Sequence, residues 1–236
     1  MNNFKRGLLA GIPIALGYLS VSFTFGIICI SYGFTWWQAL IISMTCLTSA
    51  GQFSGIQTMR MPGQYLDMLI SQLTINVRYS FMSISLSQKV DSKFKGIWRL
   101  IFGYFITDEI FAVAVNEESV SRSFFAGLSL LPYFGWAGGT LAGALLGNVL
   151  PARLMSALGL AIYGMFVAIV VPEMKKVKAV VFAVITAATL STLFTYVPYI
   201  NRLSSGLSIS ICAIASAALC AALFPVEEKG GAPDGQ

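Results

Sequence analysis

The stretch Ser87–Arg99 reads SQKVDSKFKGIWR and gathers Lys89, Lys93, Lys95 and Arg99 into one short loop. It lies between two apolar runs, 65–87 and 97–115. In a polytopic membrane protein such a loop sets the topology, because short Lys/Arg-rich loops stay on the cytoplasmic side. The composition supports that setting. The chain has 236 residues, of which 56% are hydrophobic and 11% charged, with a mean hydropathy of +0.77. A soluble domain carries about 25% charged residues. Several apolar runs approach the roughly 20 residues that one helical bilayer crossing needs, and the alternating strands of a membrane barrel are absent. The expected fold is an all-α integral membrane protein.

Apolar segments run over 7–32, 36–59, 65–87, 97–115, 123–150, 155–172, 178–197 and 206–224. If all of them crossed, Ser87–Arg99 would face outward and the basic residues would divide almost evenly between the two sides. If segments 2 and 6 are broken or re-entrant, one side holds Lys5, Arg6, Lys89, Lys93, Lys95, Arg99, Arg153, Lys175, Lys176, Lys178 and Lys229. The other side then holds only Arg60, Arg122 and Arg202, which satisfies the charge rule far better. This gives six to eight transmembrane segments, with three crossings in each half. An odd number inverts the second half against the first, as in many secondary transporters with sites near the midplane. Segment 1 carries PIALGYLSVSFTFG from Pro13, with Gly17, and segment 5 carries PYFGWAGGTLAGALLG from Pro132. Segment 2 carries AGQF at 50–53, followed by Gly55, and segment 6 carries YGMF at 163–166, including Gly164. These glycines and prolines are candidates for helix breaks or close packing. The expected organisation is one polytopic membrane domain, 1–224, with halves 1–115 and 123–224, and a flexible tail over 225–236. Both termini are expected on the cytoplasmic side of a bacterial cytoplasmic membrane.

The net charge of +5 comes from these short loops, so orientation in a membrane explains it more simply than nucleic acid does. Cys29, Cys46, Cys212 and Cys220 all lie in apolar runs, and the chain has no histidine and no CxxC. No metal or other cofactor is implied. Lys5 and Arg6 precede the first apolar run much as in a signal peptide. That run is too long for one and lacks a clear cleavage site, so it is expected to be a retained first span.

Segment 3, YLDMLISQLTINVRYSFMSISLS, is unusually polar. Gln72, Asn76, Ser80, Ser83 and Ser87 recur every three or four residues and form a stripe on one helix face. Arg78 lies beside it. Such a face must meet protein or water, because a charge at the bilayer centre costs about 2.5–3.5 kcal/mol on the insertion scale. Arg78 precedes Gln88 by a helical distance of about 15 Å, and Asp108 follows Arg99 by about 13.5 Å. Both therefore sit near the middle of a hydrocarbon core roughly 30 Å thick, and an ion pair between them is reasonable. Glu109 must point elsewhere, since neighbours on a helix diverge by about 100°. A carboxylate withdrawn from water without a full partner binds protons more readily, which is what proton coupling requires. In segment 2 the small polar run Thr48–Gly55 suits either an unwound backbone or close helix packing. Unwound, Ser49, Gly51 and Gln52 would offer a helix N-terminus to a carboxylate. Asn76 and Arg78 complete the candidate substrate-binding set. An apolar pocket would draw on Phe23, Phe53 or Phe166.

GIPIALGYLSVSFTFG, SAGQF (49–53), NVRYSFMSISL (76–86) and TDEIFAV (107–113) occur in the order and at the approximate spacing of a known family. Over roughly 7–200 the chain resembles the AzlC family of branched-chain amino acid permeases, the large subunits of AzlC/AzlD (YgaZ/YgaH-type) exporters. Tyr79 departs from that pattern, standing where many relatives have histidine. The resemblance implies export of valine, leucine and isoleucine, with methionine as a further candidate, by a secondary, proton-coupled mechanism. It also implies a small AzlD-like membrane subunit as partner. No nucleotide-binding GxxxxGK[ST] is present, and no GxSxG or HExxH marks an enzyme. A passive channel or an importer for small hydrophobic solutes is the alternative reading.

Overall fold

The computed structural model describes residues 2–147, 167, 170–171, 174–198 and 205–224. The chain divides into two compact units, Met1–Val167 and Ala168–Gln236. The described residues contain helices and no strand beyond one isolated bridge, Val90 to Val120.

In the first unit the helices are α1 (Asn3–Ser31), α2 (Trp36–Thr45), α3 (Ala50–Met59), α4 (Tyr65–Ser87), α5 (Ile97–Gly103), α6 (Asp108–Ala114) and α7 (Arg122–Leu146). Their lengths sort them. At 1.5 Å per residue α1, α4 and α7 reach about 35–44 Å, enough for a hydrocarbon core. The helices α2, α3, α5 and α6 reach only about 10–15 Å, half a core at most. Local chemistry sets the ends. Asn2 caps α1, with its side chain accepting from Phe4 N–H. Thr35 and Gln38 form a capping box at α2. Thr107 caps α6 and Ser121 caps α7 through their hydroxyls.

The short helices pair into two hairpins that enter from opposite ends. Arg60, just past α3, stacks on Tyr32, just past α1, at 4.1 Å from the ring centroid. The α2–α3 hairpin therefore starts and finishes at one end of α1, with its break at 46–49. The α5–α6 hairpin does the same at the other end. Arg122 covers the Trp98 ring at 5.3 Å where it starts, and Lys89 Nζ donates to Val115 O at 2.6 Å where it finishes. Its break is 104–107.

Several sequence expectations are corrected here. Segment 4 (97–115) does not cross as one helix but turns back between Gly103 and Asp108. Because α4 is then the one full-length helix between them, α1 and α7 run parallel. Gly7 lies on Phe124, Gly11 on Leu128, Gly139 on Leu19 and Gly143 on Phe23. An inverted repeat that equates segments 1 and 5 would set them antiparallel. Pro13 and Pro132 also lie inside continuous helices and do not break them. Pro132 packs against Gly11, while a side chain at Gly17 would meet nothing within 4 Å, so Gly17 serves neither role. Gly164, Phe166 and nearly all of segment 6, like the tail 225–236, fall outside the described residues.

Apolar clusters close the unit at both ends. Phe94, Phe102, Phe125 and Ile110 pack around the second hairpin. Phe25, Cys29, Ala39 and Ile56 pack around the first. Between them lie Tyr18, Val21 and Trp136, with Leu47 and Phe53 against them. The outer face of α4 is an exposed apolar stripe: Leu66, Leu69, Leu73, Val77, Phe81 and Ile84. A soluble protein would bury such a stripe, whereas lipid accepts it.

In the second unit α8 (Lys178–Tyr196) and α9 (Ser205–Leu223) are antiparallel neighbours. Cys220 Sγ lies 3.3 Å from Ala179 O, and Phe182 meets Phe224 at 5.6 Å. By length and composition α1 and α8 pass as membrane spans.

Candidate functional site

The two breaks meet. Met44 O, near the end of α2, accepts from Tyr104 Oη in the second break, and from Tyr133 Oη of α7 at 3.2 Å. A cavity of about 220 Å³ lies between the breaks, lined by Cys46, Leu47 and Thr48 on one side and Gly103, Tyr104 and Ile106 on the other. The inner face of α4 closes it with Asn76 and Tyr79. Both α3 and α6 begin at this level, so two helix N-termini sit beside it, as do the C-terminal ends of α2 and α5. Opposed half-helix ends place partial positive and negative charge around one small volume.

The polar side chains of α4 organise the first break. Gln72 Nε2 donates to Gly51 O at 2.9 Å, and Asn76 Nδ2 donates to Gln72 Oε1 at 3.1 Å. Thr48 donates its hydroxyl to Asn76 Oδ1. Gly51 is required by close approach: a Cβ there would fall 2.5 Å from the Thr48 methyl and 2.8 Å from Gln72 Oε1. Ser49 holds φ at 49°, a left-handed conformation that costs a non-glycine residue of order 1–3 kcal/mol. Gly55 faces Gln72 as well. Gln52 Nε2 donates to Ile42 O at 3.2 Å and ties α3 back to α2. Ser49 Oγ, Gln52 Oε1 and Arg78 Nε are buried without a hydrogen-bond partner among the described residues.

The carboxylates separate as helix geometry requires. Asp108 Oδ2 lies 2.7 Å from Arg78 Nη1. Arg78 Nη2 also reaches Tyr79 Oη at 3.3 Å, and its guanidinium lies 5.0 Å from that ring. Glu109 turns instead to α1, where the Tyr18 hydroxyl donates to its Oε2. The same hydroxyl lies 2.6 Å from Thr107 Oγ1. Both acids occupy the first turn of α6, where the helix dipole favours negative charge.

Tyr18, Tyr104, Thr107 and Tyr133 were not singled out from the sequence. The available signal was the tyrosine itself: inside an apolar run its hydroxyl must find a partner. Of the aromatic residues expected in an apolar pocket, Phe53 packs on Phe25 at 5.3 Å, and neither Phe23 nor Phe53 lines the cavity. Leu47, Ile106, Tyr79 and Tyr104 take that role.

The region holding both hairpins, α4, α7 and about two thirds of α1 is the part of the chain shared with known proteins. The family described as AzlC protein matches residues 13–150. The chain belongs to the AzlC family. It is 33% identical to an uncharacterized membrane protein of Archaeoglobus fulgidus over 174 residues, covering 73% of this chain and 76% of that protein. An uncharacterized membrane protein of Helicobacter pylori 26695 is 30% identical over 61% of this chain and 64% of its own length. The inner membrane protein YgaZ of Escherichia coli K12 is 27% identical over 61% of each. The match thus spans a little under two thirds of the latter two proteins. No solved structure matches. As an AzlC-family chain that is helical, with apolar helices, among its described residues, it is a membrane protein.

Proposed function

We propose that this AzlC-family chain is the large subunit of a secondary transporter that exports valine, leucine and isoleucine, with methionine as a further substrate. Export is coupled to protons, and a small AzlD-like membrane subunit completes the assembly. The observation that carries the reading is the Arg78–Asp108 pair, at 2.7 Å, which reaches a 220 Å³ cavity between two helix breaks through Tyr79; of the predicted binding residues only Asn76 lines that cavity directly. A zwitterion needs a cation or helix N-terminus for its carboxylate, and carbonyls or an anion for its ammonium. Arg78 and the start of α3 supply the first, and Asp108 and the end of α2 the second. A cavity this small, below the roughly 300–1,000 Å³ of drug-sized sites, suits one amino acid. Leu47 and Ile106 offer its side chain an apolar wall. The test is leucine uptake into inside-out vesicles from cells expressing the chain with its small subunit, with and without an imposed proton gradient. Gradient-driven accumulation is expected; equilibration without accumulation would instead support a passive channel.

The same reading fixes a topology. Lys5, Arg6, Lys89, Lys93, Lys95, Arg99 and Arg122 sit at one end of the first unit, and among the described residues of that unit only Arg60 lies at the other. The positive-inside rule makes the crowded end cytoplasmic. Then α1, α4 and α7 cross, α2–α3 re-enters from outside and α5–α6 from the cytoplasm. Cysteines placed at Lys93 and Arg122 are expected to react with an impermeant maleimide only in inside-out vesicles, and one at Arg60 only in intact cells. Labelling of the Arg122 position from outside would sink this topology, because a crossing segment 4 predicts that result.

A further inference from the structure

A second cavity, also of about 220 Å³, lies on the basic-end side of the second hairpin. Its lining differs from that of the central cavity. Phe94, Phe102 and Phe125 form one wall, with ring centroids 5.2–6.0 Å apart. Arg99, Ser83 and Ser87 supply the polar groups. Arg99 Nε donates to Phe94 O at 3.0 Å, which anchors the guanidinium while leaving its terminal nitrogens to others. No acidic side chain pairs with it among the described residues. Gly103 and Ile106 line both cavities. A side chain at Gly103 would meet no atom within 4 Å, so its hydrogen faces open space.

We infer that this second cavity is a loading vestibule: it holds the carboxylate of a small aliphatic acid at Arg99 before the solute passes Gly103 and Ile106 into the central cavity. The inference rests on the proposed transport role and topology, which make the basic end cytoplasmic. A guanidinium matches a carboxylate in charge and geometry, and the phenylalanine wall suits a branched side chain. A purely apolar occupant such as a lipid chain would leave the terminal nitrogens of Arg99 and the Ser83 hydroxyl without use, whereas the Ser87 hydroxyl already donates to Ile84 O at 2.7 Å. Placing the two cavities in series also gives the break at 104–107 a role, since an unwound segment can shift Ile106 without moving a whole helix.

The test uses the full chain with its small subunit, with the four native cysteines replaced by serine and Ser83→Cys introduced. In inside-out vesicles a charged, impermeant methanethiosulfonate is expected to modify that position, and millimolar leucine to slow the reaction several-fold. Adding Arg99→Gln should preserve modification and remove protection. In a second variant Cys46 is kept as the sole thiol; it should react from the cytoplasmic face, and Gly103→Leu should suppress that reaction at least tenfold. The Ser87→Cys variant repeats the first measurement where Ser83→Cys does not reach the membrane. An unreactive cysteine at both positions means a lipid-filled crevice and overturns the vestibule. So does protection that survives Arg99→Gln, or a Cys46 indifferent to Gly103→Leu. Leucine transport without Arg99-dependent protection overturns the vestibule alone. Arg99-dependent protection by leucine without any transport supports the vestibule and overturns the proposed function.

Discussion

Asp108→Asn is expected to reduce proton-gradient-driven leucine transport to the level of vesicles lacking the protein. The change keeps the shape of the side chain and removes the charge that faces Arg78 at 2.7 Å. If Asp108 alternates between Arg78 and a proton, asparagine can do neither. Arg78 then keeps only the Tyr79 hydroxyl at 3.3 Å and the ring beneath it. An unpaired guanidinium at mid-membrane costs about 2.5–3.5 kcal/mol on the insertion scale. The cost here is smaller, because the Arg78 and Asp108 side chains keep 37% and 33% of their exposure. The variant should therefore fold, with a lowered Tm. The double variant Arg78→Met with Asp108→Asn removes the orphaned charge, so it should recover Tm and not transport. Recovery of Tm with continued inactivity separates a coupling role from a structural one. Full transport by Asp108→Asn would remove this carboxylate from the coupling step. Glu109→Gln serves as the comparison. Its amide oxygen can still accept from Tyr18, so its effect on transport should be much smaller.

How much of this was legible beforehand depends on which force set each feature. The polar stripe at Gln72 and Asn76 and the charges Arg78 and Asp108 are anomalies against an apolar background, and anomalies are visible in a single sequence. Even there only part of the stripe turns inward: Ser80 and Ser87 are exposed. Segment 2 could be seen to break because Thr48–Gly55 is small and polar. Segment 4 could not be seen to turn back. IFGYFIT is apolar through the break, and what holds it open is tertiary: Tyr104 on Met44 O, Thr107 beside Tyr18, and Ile106 buried. A crossing segment 4 would set α7 antiparallel to α1 and separate Arg122 from Trp98, which it covers, since the parity of crossings propagates to everything downstream. The destination of Glu109 was equally closed to sequence reasoning. Periodicity says that Glu109 diverges from Asp108, but only the fold brings Tyr18, far away in the chain, to meet it.

Gly143→Ala is expected to be among the most destabilising single changes in the first unit, although it adds one methyl group. That methyl carbon would sit 2.0 Å from Phe23 O and 2.8 Å from its carbonyl carbon. Both are backbone atoms of the facing helix, so no side chain can rotate away to make room. The two helices must separate, and the movement propagates along a seam on which Gly7, Gly26, Gly127 and Gly139 make equally close approaches. Small residues at such seams allow the dispersion contact that holds helices together in lipid, where the hydrophobic effect offers no drive. Overpacking of a well-packed core costs about 1–3 kcal/mol, and the upper part of that range applies where backbone is struck. Gly138→Ala is the control on the same helix. Its added methyl meets nothing within 4 Å, so it should be neutral or gain about 0.5–1 kcal/mol from reduced backbone freedom. Thermal melting in detergent, followed by size-exclusion recovery, compares the two; equal losses would mean that the seam contributes nothing special. The functional consequence follows from what the seam carries. The helix α1 presents Tyr18 to Glu109, and α7 presents Tyr133 to Met44 O. A wider seam pulls these hydroxyls apart, so Gly143→Ala should also slow leucine transport at temperatures well below its Tm.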